Sequence, residues 1–178
     1  MKLKASVALL ALAGLWSVNA SADGVITVTG QITNTQCTPV ITVDDPNDQV
    51  SGQDVALNYG KIPATDLTDG KFKEKFVNFT YSGCTGINTA SLSFIGSASQ
   101  SDQAAFQLAG NNDIGLYLNA IGDGGDQAIT PDAGATDPID FVNGGAALTV
   151  AFSIKAFEGV TPTDTDFSSS IQWTQTLL

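Results

Sequence analysis

The sequence predicts an all-β chain folded as a β-sandwich. Three observations carry that prediction. Apolar and polar residues alternate with a period of two through most of the chain after residue 22. Turn-forming clusters interrupt the alternation at intervals of about 8 to 12 residues. No window after residue 22 keeps helical spacing over three turns.

The elements follow in order. Ile26, Val28, Gly30 and Ile32 alternate with Thr27, Thr29 and Gln31. Val77, Phe79 and Tyr81, then Leu92 and Phe94, then Ile114, Leu116 and Leu118 repeat the pattern. The longest run sets Leu148, Val150, Phe152, Ile154 and Ala156 against Thr149, Ala151, Ser153 and Lys155, which reads as a half-buried strand. Phe167, Ser169, Ile171 and Trp173 share one face of a last strand. Between the runs stand Asp44-Asp45-Pro46-Asn47-Asp48, Gly122-Asp123-Gly124-Gly125-Asp126, Pro131-Asp132-Ala133-Gly134, Asn143-Gly144-Gly145 and Thr161-Pro162-Thr163-Asp164. Each holds residues whose backbone chemistry ends a strand.

Residues 1–22 read differently. Lys2 and Lys4 precede an apolar stretch from Ala5 to Trp16, and Ala20-Ser21-Ala22 supplies small residues where a signal peptidase cuts. A spanning helix needs about 20 apolar residues, and nothing basic follows as a stop signal. The segment is therefore expected to be a signal peptide removed after Ala22, leaving residues 23–178 as one domain.

Composition excludes much. The formal charge is −11, there is no His, and all seven basic residues are Lys. Losing Lys2 and Lys4 takes the charge to −13. A chain this acidic is not a nucleic-acid binder, because phosphate contacts are made by clustered Lys and Arg. Without imidazole or guanidinium, the usual base, proton shuttle and anion clamp are missing, so an enzyme is not expected. The remaining carboxylate pairs, Asp44 with Asp45 and Asp164 with Asp166, sit in turn clusters and read as solvated loops. Gly122–Asp126 lacks the 12-residue spacing of an EF-hand and reads as a hairpin loop. No metal and no cofactor is expected. Asn78-Phe79-Thr80 fits a glycosylation sequon, but within a strand it reads as coincidence.

Export sets the reading of the two cysteines. In an oxidising compartment Cys37 and Cys84 are expected to form one disulfide, and neither CxxC spacing nor a nearby His suggests a reactive thiol or metal pair. Lys71, Lys73 and Lys75, beside Phe72 and Phe76, read as a solvated face protecting a strand edge. The sharper reading is a basic cluster that meets an acidic face of a neighbouring protein.

Several stretches carry a resemblance to a known family. Gly24-Val-Ile-Thr-Val-Thr-Gly30, leading through Ile32 to Cys37, resembles the opening of pilin subunits assembled by the chaperone-usher pathway. Val55-Ala-Leu57-Asn-Tyr59-Gly60 is similar to that family's second apolar strand, and Phe76-Val-Asn-Phe79-Thr-Tyr-Ser-Gly-Cys84 to the strand bringing in the second cysteine. Leu92-Ser-Phe94-Ile-Gly96 and Ile114-Gly115-Leu116-Tyr-Leu118 match its middle strands in order. The C-terminus departs from the pattern: Trp173 is followed by Thr174-Gln-Thr-Leu-Leu178, and Asp164-Thr-Asp166 stands where a glycine is usual.

The resemblance implies an immunoglobulin-like sandwich that lacks its final strand and is completed by a donor strand from a neighbouring subunit. Its donor arm would be residues 23–32, with Gly24, Ile26, Val28, Gly30 and Ile32 on the inserted side. Phe167, Ile171 and Trp173 would border the groove, where a periplasmic chaperone docks first. Further implied partners are identical or related pilin subunits, an outer-membrane usher and a host-surface receptor. The implied function is a structural subunit of a fimbria on the bacterial cell surface, supporting adhesion. The alternative is a minor or tip subunit that binds carbohydrate.

Overall fold

The computed structural model describes residues 23–31, 37–68, 70–122, 125–132 and 134–178. The expected signal peptide at 1–22 lies outside the described residues, as do Ile32, Asp123 and Gly124. The strands are β1 (Asp23–Gln31), β2 (Val40–Val43), β3 (Gln49–Ser51), β4 (Asp54–Lys61), β5 (Phe72–Tyr81), β6 (Thr89–Ile95), β7 (Phe106–Gln107), β8 (Ile114–Gly122), β9 (Gly125–Ile129), β10 (Ile139–Asp140), β11 (Ala146–Ala156) and β12 (Phe167–Leu177). A single 3-10 turn at Ala64–Asp66 is the only helix among the described residues. Nothing in the described chain is a helix long and apolar enough to cross a membrane.

Two sheets face each other. The first runs β10-β6-β12-β1-β4-β3; the second runs β2-β5-β11-β8-β7, with β9 also paired to β8. The alternating residues named above supply the core between them. Edge-to-face rings cross the sandwich from Trp173 to Phe79 at 5.1 Å, Phe79 to Phe94 at 6.3 Å, and Phe94 to Phe152 at 6.3 Å. Such pairs add about 0.5–1.5 kcal/mol each beyond their buried area.

β11 is more deeply buried than its alternation suggests. Ala151 and Ser153 point away from the core yet are buried. Phe76 and Asn119 lie opposite Ala151, and Glu74 and Tyr117 lie opposite Ser153, so small residues on the middle strand are roofed by longer ones beside them.

Lys75 also departs from the sequence reading. It is not solvated: its side chain is 9% exposed, and Nζ lies 2.6 Å from Asp45 and 2.8 Å from Asp48. Asp48 is buried as well and accepts the backbone N–H of Asn58 at 2.7 Å. The acidic turn is therefore folded onto β5, where it neutralises a lysine on the strand's inward face. Lys73 reaches Asp66 at 3.0 Å at an exposed site.

Cys37 and Cys84 are joined with a Cα–Cα distance of 5.2 Å, tying the start of β2 to the end of β5. β8 and β9 face each other down to Gly122 opposite Gly125, the hairpin expected there. β12 extends past Trp173 to Leu177, and Gln175 takes the next inward position. Its amide is satisfied there: Tyr81 Oη donates to Gln175 Oε1 at 3.0 Å, and Gln175 Nε2 donates to the Cys37 carbonyl at 2.9 Å. A polar residue can therefore continue an apolar face without an orphaned group.

Candidate functional site: the groove and its arm

The first sheet is completed by the N-terminal arm of the chain itself. β1 runs parallel to β12 and antiparallel to β4, so it sits between two strands that are far from it in sequence. Gly24, Ile26 and Val28 are buried, whereas Val25 is exposed and Thr27 and Thr29 are half-buried on the outer face. Residues 23–32 were expected to be offered to a neighbour; in this chain the described part lies in its own groove.

The fit is a matter of alternating size. Along β12 the partners are Gly24 with Phe167, Ile26 with Ser169, Val28 with Ile171, and Gly30 with Trp173. Large residues on β12 meet glycine on β1, and the largest arm residue meets serine. A Cβ at Gly24 would overlap the Phe167 ring, and one at Gly30 would overlap the Trp173 indole. Both glycines are there for close approach. On the other side Ile26 pairs with Leu57 and Val28 with Val55, both fully buried. The pairing with β4 shifts register between Gly24 and Val25, opposite Gly60, whose φ of 56° no side chain adopts comfortably.

Phe167, Ile171 and Trp173, expected at the groove edge, all face the arm and are buried. Trp173 is also polar-satisfied, its Nε1 donating to the Gln53 carbonyl at 3.1 Å. Burial alone pushes the Tyr81 phenol far above its ordinary range, so it remains a neutral donor to Gln175.

The site thus has apolar pockets, paired backbone and neutral hydrogen bonds. Among the described residues, no three Cys, Asp or Glu side chains gather as a metal site would require. What the arrangement does chemically is hold a strand. The sequence names the residues of β1 and β12 that meet here and places Tyr81 on a strand, but gives no sign of the hydrogen bonds that Gln53, Tyr81 and Gln175 make around Trp173. Parity was the available signal for Gln175, since it shares the face of Ile171 and Trp173.

The same architecture occurs in solved pilus subunits. A chain from the structure of a chaperone-usher pilus, concerned with rod uncoiling, superposes with a TM-score of 0.59 at 14% identity, covering 78% of this chain and 87% of that one. This is the pilin fold. The P pilus rod subunit PapA gives a TM-score of 0.53 at 17% identity, covering 78% of this chain and 99% of that one. No family model and no curated protein matches the sequence. Within this pilin fold, β12 and β4 are the two groove walls and β1 is the strand that closes them.

Proposed function

We propose that the chain is a structural subunit of a bacterial surface fimbria. Residues 1–22 direct export, a periplasmic chaperone delivers the subunit to an outer-membrane usher, and polymerisation places the arm of one copy in the groove of the next. The role is assembly and adhesion, not catalysis. The observation that carries this reading is that the strand completing the first sheet is the N-terminal arm, held by backbone pairing on both sides and by two pockets. A separate strand of the same sequence can be held by the same bonds.

The arm's inward face adds support. It reads Gly24, Ile26, Val28, Gly30, which is nearly the same in reverse. Entering in the opposite direction, it still sets a glycine against each ring and a branched residue against Ser169 and Ile171. A second copy's arm is not bound by this chain's own connection to Cys37, so either direction is open to it.

The test uses the exported protein with Ile26→Asp and Val28→Asp together. A buried, unpaired carboxylate is not tolerated in either pocket. Expected is a subunit that forms no fibre yet still takes up a synthetic peptide of the unmodified 23–32 sequence in its vacated groove. Fibres of normal yield from the double variant would sink the proposal.

A further inference from the structure

We infer that copies of this chain also meet through a second, head-to-tail contact outside the arm groove, in which the exposed Lys71-Phe72-Lys73 knob of one copy seats in an acid-rimmed apolar groove of the next.

The groove lies at the mouth of the sandwich, between the start of β11, the β8–β9 end and the segment leading into β10. It encloses 700 Å3. Its apolar lining includes Leu148, Ile139, Ile121 and Val142, the last two exposed at 38% and 72%. Asp137 and Asp140 stand on its rim, and Asp126 is opposite Ile121 on β9. No Lys or Arg occurs in the sequence from 76 to 154, so nothing on these elements offsets the acids.

The knob lies at the start of β5, beside the far end of β11. Phe72 is 48% exposed and pairs with Lys155, whose Nζ sits 5.5 Å from the Phe72 ring and 4.8 Å from that of Tyr117. Lys71 and Lys73 flank it, both exposed, with Lys71 Nζ donating to the Thr65 carbonyl at 3.3 Å. Asp66 pairs with Lys73, and Glu74 accepts a hydrogen bond from Ser153.

Three arguments join the surfaces. Residues 23–178 carry 18 acids and five lysines, one of them buried, so most faces of two copies repel. The knob is the one described place where an exposed ring is flanked by lysines, which suits an apolar floor with an acidic rim. Knob and groove sit near opposite ends of β11, on the order of 25 Å apart at strand rise, so one subunit cannot satisfy both. A contact between different patches is heterologous, and it propagates as an open filament wherever its rotation does not close into a ring.

The experiment is charge exchange in purified exported protein, with self-association measured by sedimentation at low and high salt. Lys71→Glu with Lys73→Glu, and separately Asp137→Lys with Asp140→Lys, are each expected to weaken association by at least about tenfold at low salt. All four together should restore it to within about threefold. Phe72→Ser should weaken it without lowering the melting temperature. A quadruple variant no better than the doubles, doubles indistinguishable from the parent, or a parent that stays monomeric in low salt would each overturn the contact. The contact uses neither arm nor groove walls. Normal fibres from the Ile26 and Val28 variants therefore remove the arm reading alone, and a missing exchange pattern removes this one alone.

Discussion

Each sheet has a strand at its heart, and the two strands are built differently. β11 is antiparallel to both neighbours and sends Leu148, Val150, Phe152 and Ile154 into the core. β1 is parallel to one neighbour and sends in Gly24, Ile26, Val28 and Gly30. Full burial of a large apolar side chain contributes about 1.5–3 kcal/mol, so β11 has four such contributions and the described arm has two. Its glycines add shape instead of volume. Of these two strands the arm is therefore held less tightly, and its glycines face the Phe167 and Trp173 rings on β12.

That contrast predicts the largest effects. Phe152→Ala in β11 should cost about 3–5 kcal/mol, because the cavity cannot be escaped. Val150→Asp should abolish folding altogether. In β1 the cost should saturate: once a substitution costs more than docking provides, the arm leaves and further insult adds nothing. Ile26→Asp and deletion of residues 23–31 should therefore give the same unfolding free energy within about 0.5 kcal/mol in denaturant titrations. A clear difference between them would mean that the arm does not detach from the sandwich.

Lys75 sharpens the comparison inside the second sheet. Lys75→Ala should destabilise by about 3–5 kcal/mol, since it leaves Asp48 buried without its cation. Equal stability of this variant, measured by thermal unfolding at neutral pH, would show that water enters the site readily.

How far the sequence could be read follows from period two. It exposed the inward faces of β5, β8, β11 and β12, because large residues recur there. It also contained Lys75, on the same parity as Val77, Phe79 and Tyr81, but a lysine is read outward unless its counter-ions are known. Those ions, Asp45 and Asp48, are about 30 positions away and reach it only through the fold. The two-residue strands β7 and β10 are too short to show any period. The direction of β1 is hidden for another reason: a nearly palindromic face fits a groove either way.

A smaller effect tests the groove floor. Tyr81→Phe removes the donor to Gln175 Oε1 and should cost about 1–3 kcal/mol for a buried acceptor left unsatisfied. Hydrogen exchange should then speed at the β12 end near Gln175 before it does at Phe167. Uniform acceleration along β12 would show that the network does not hold that end specifically.

The smallest expected effect is acid sensitivity at the turn that caps β5. The hydrogen bond from Lys75 is the main cause that lowers the Asp45 carboxyl from 3.8 to about 2, with the Asn47 backbone N–H second. A carboxyl whose folded value is depressed contributes stability that is fully present above its unfolded value and is lost as pH falls towards its folded one. The window is therefore pH 3.8 down to about 2. Asp45→Asn retains an oxygen for Lys75 but has no charge to lose. Its melting temperature should lie below that of the parent at pH 6, and the gap should close across that window. The effect is modest because Asp45 is at the surface, where solvent screens the pair. A gap that stays constant from pH 6 to pH 2 would show that protonation of Asp45 does not drive the acid response of this turn.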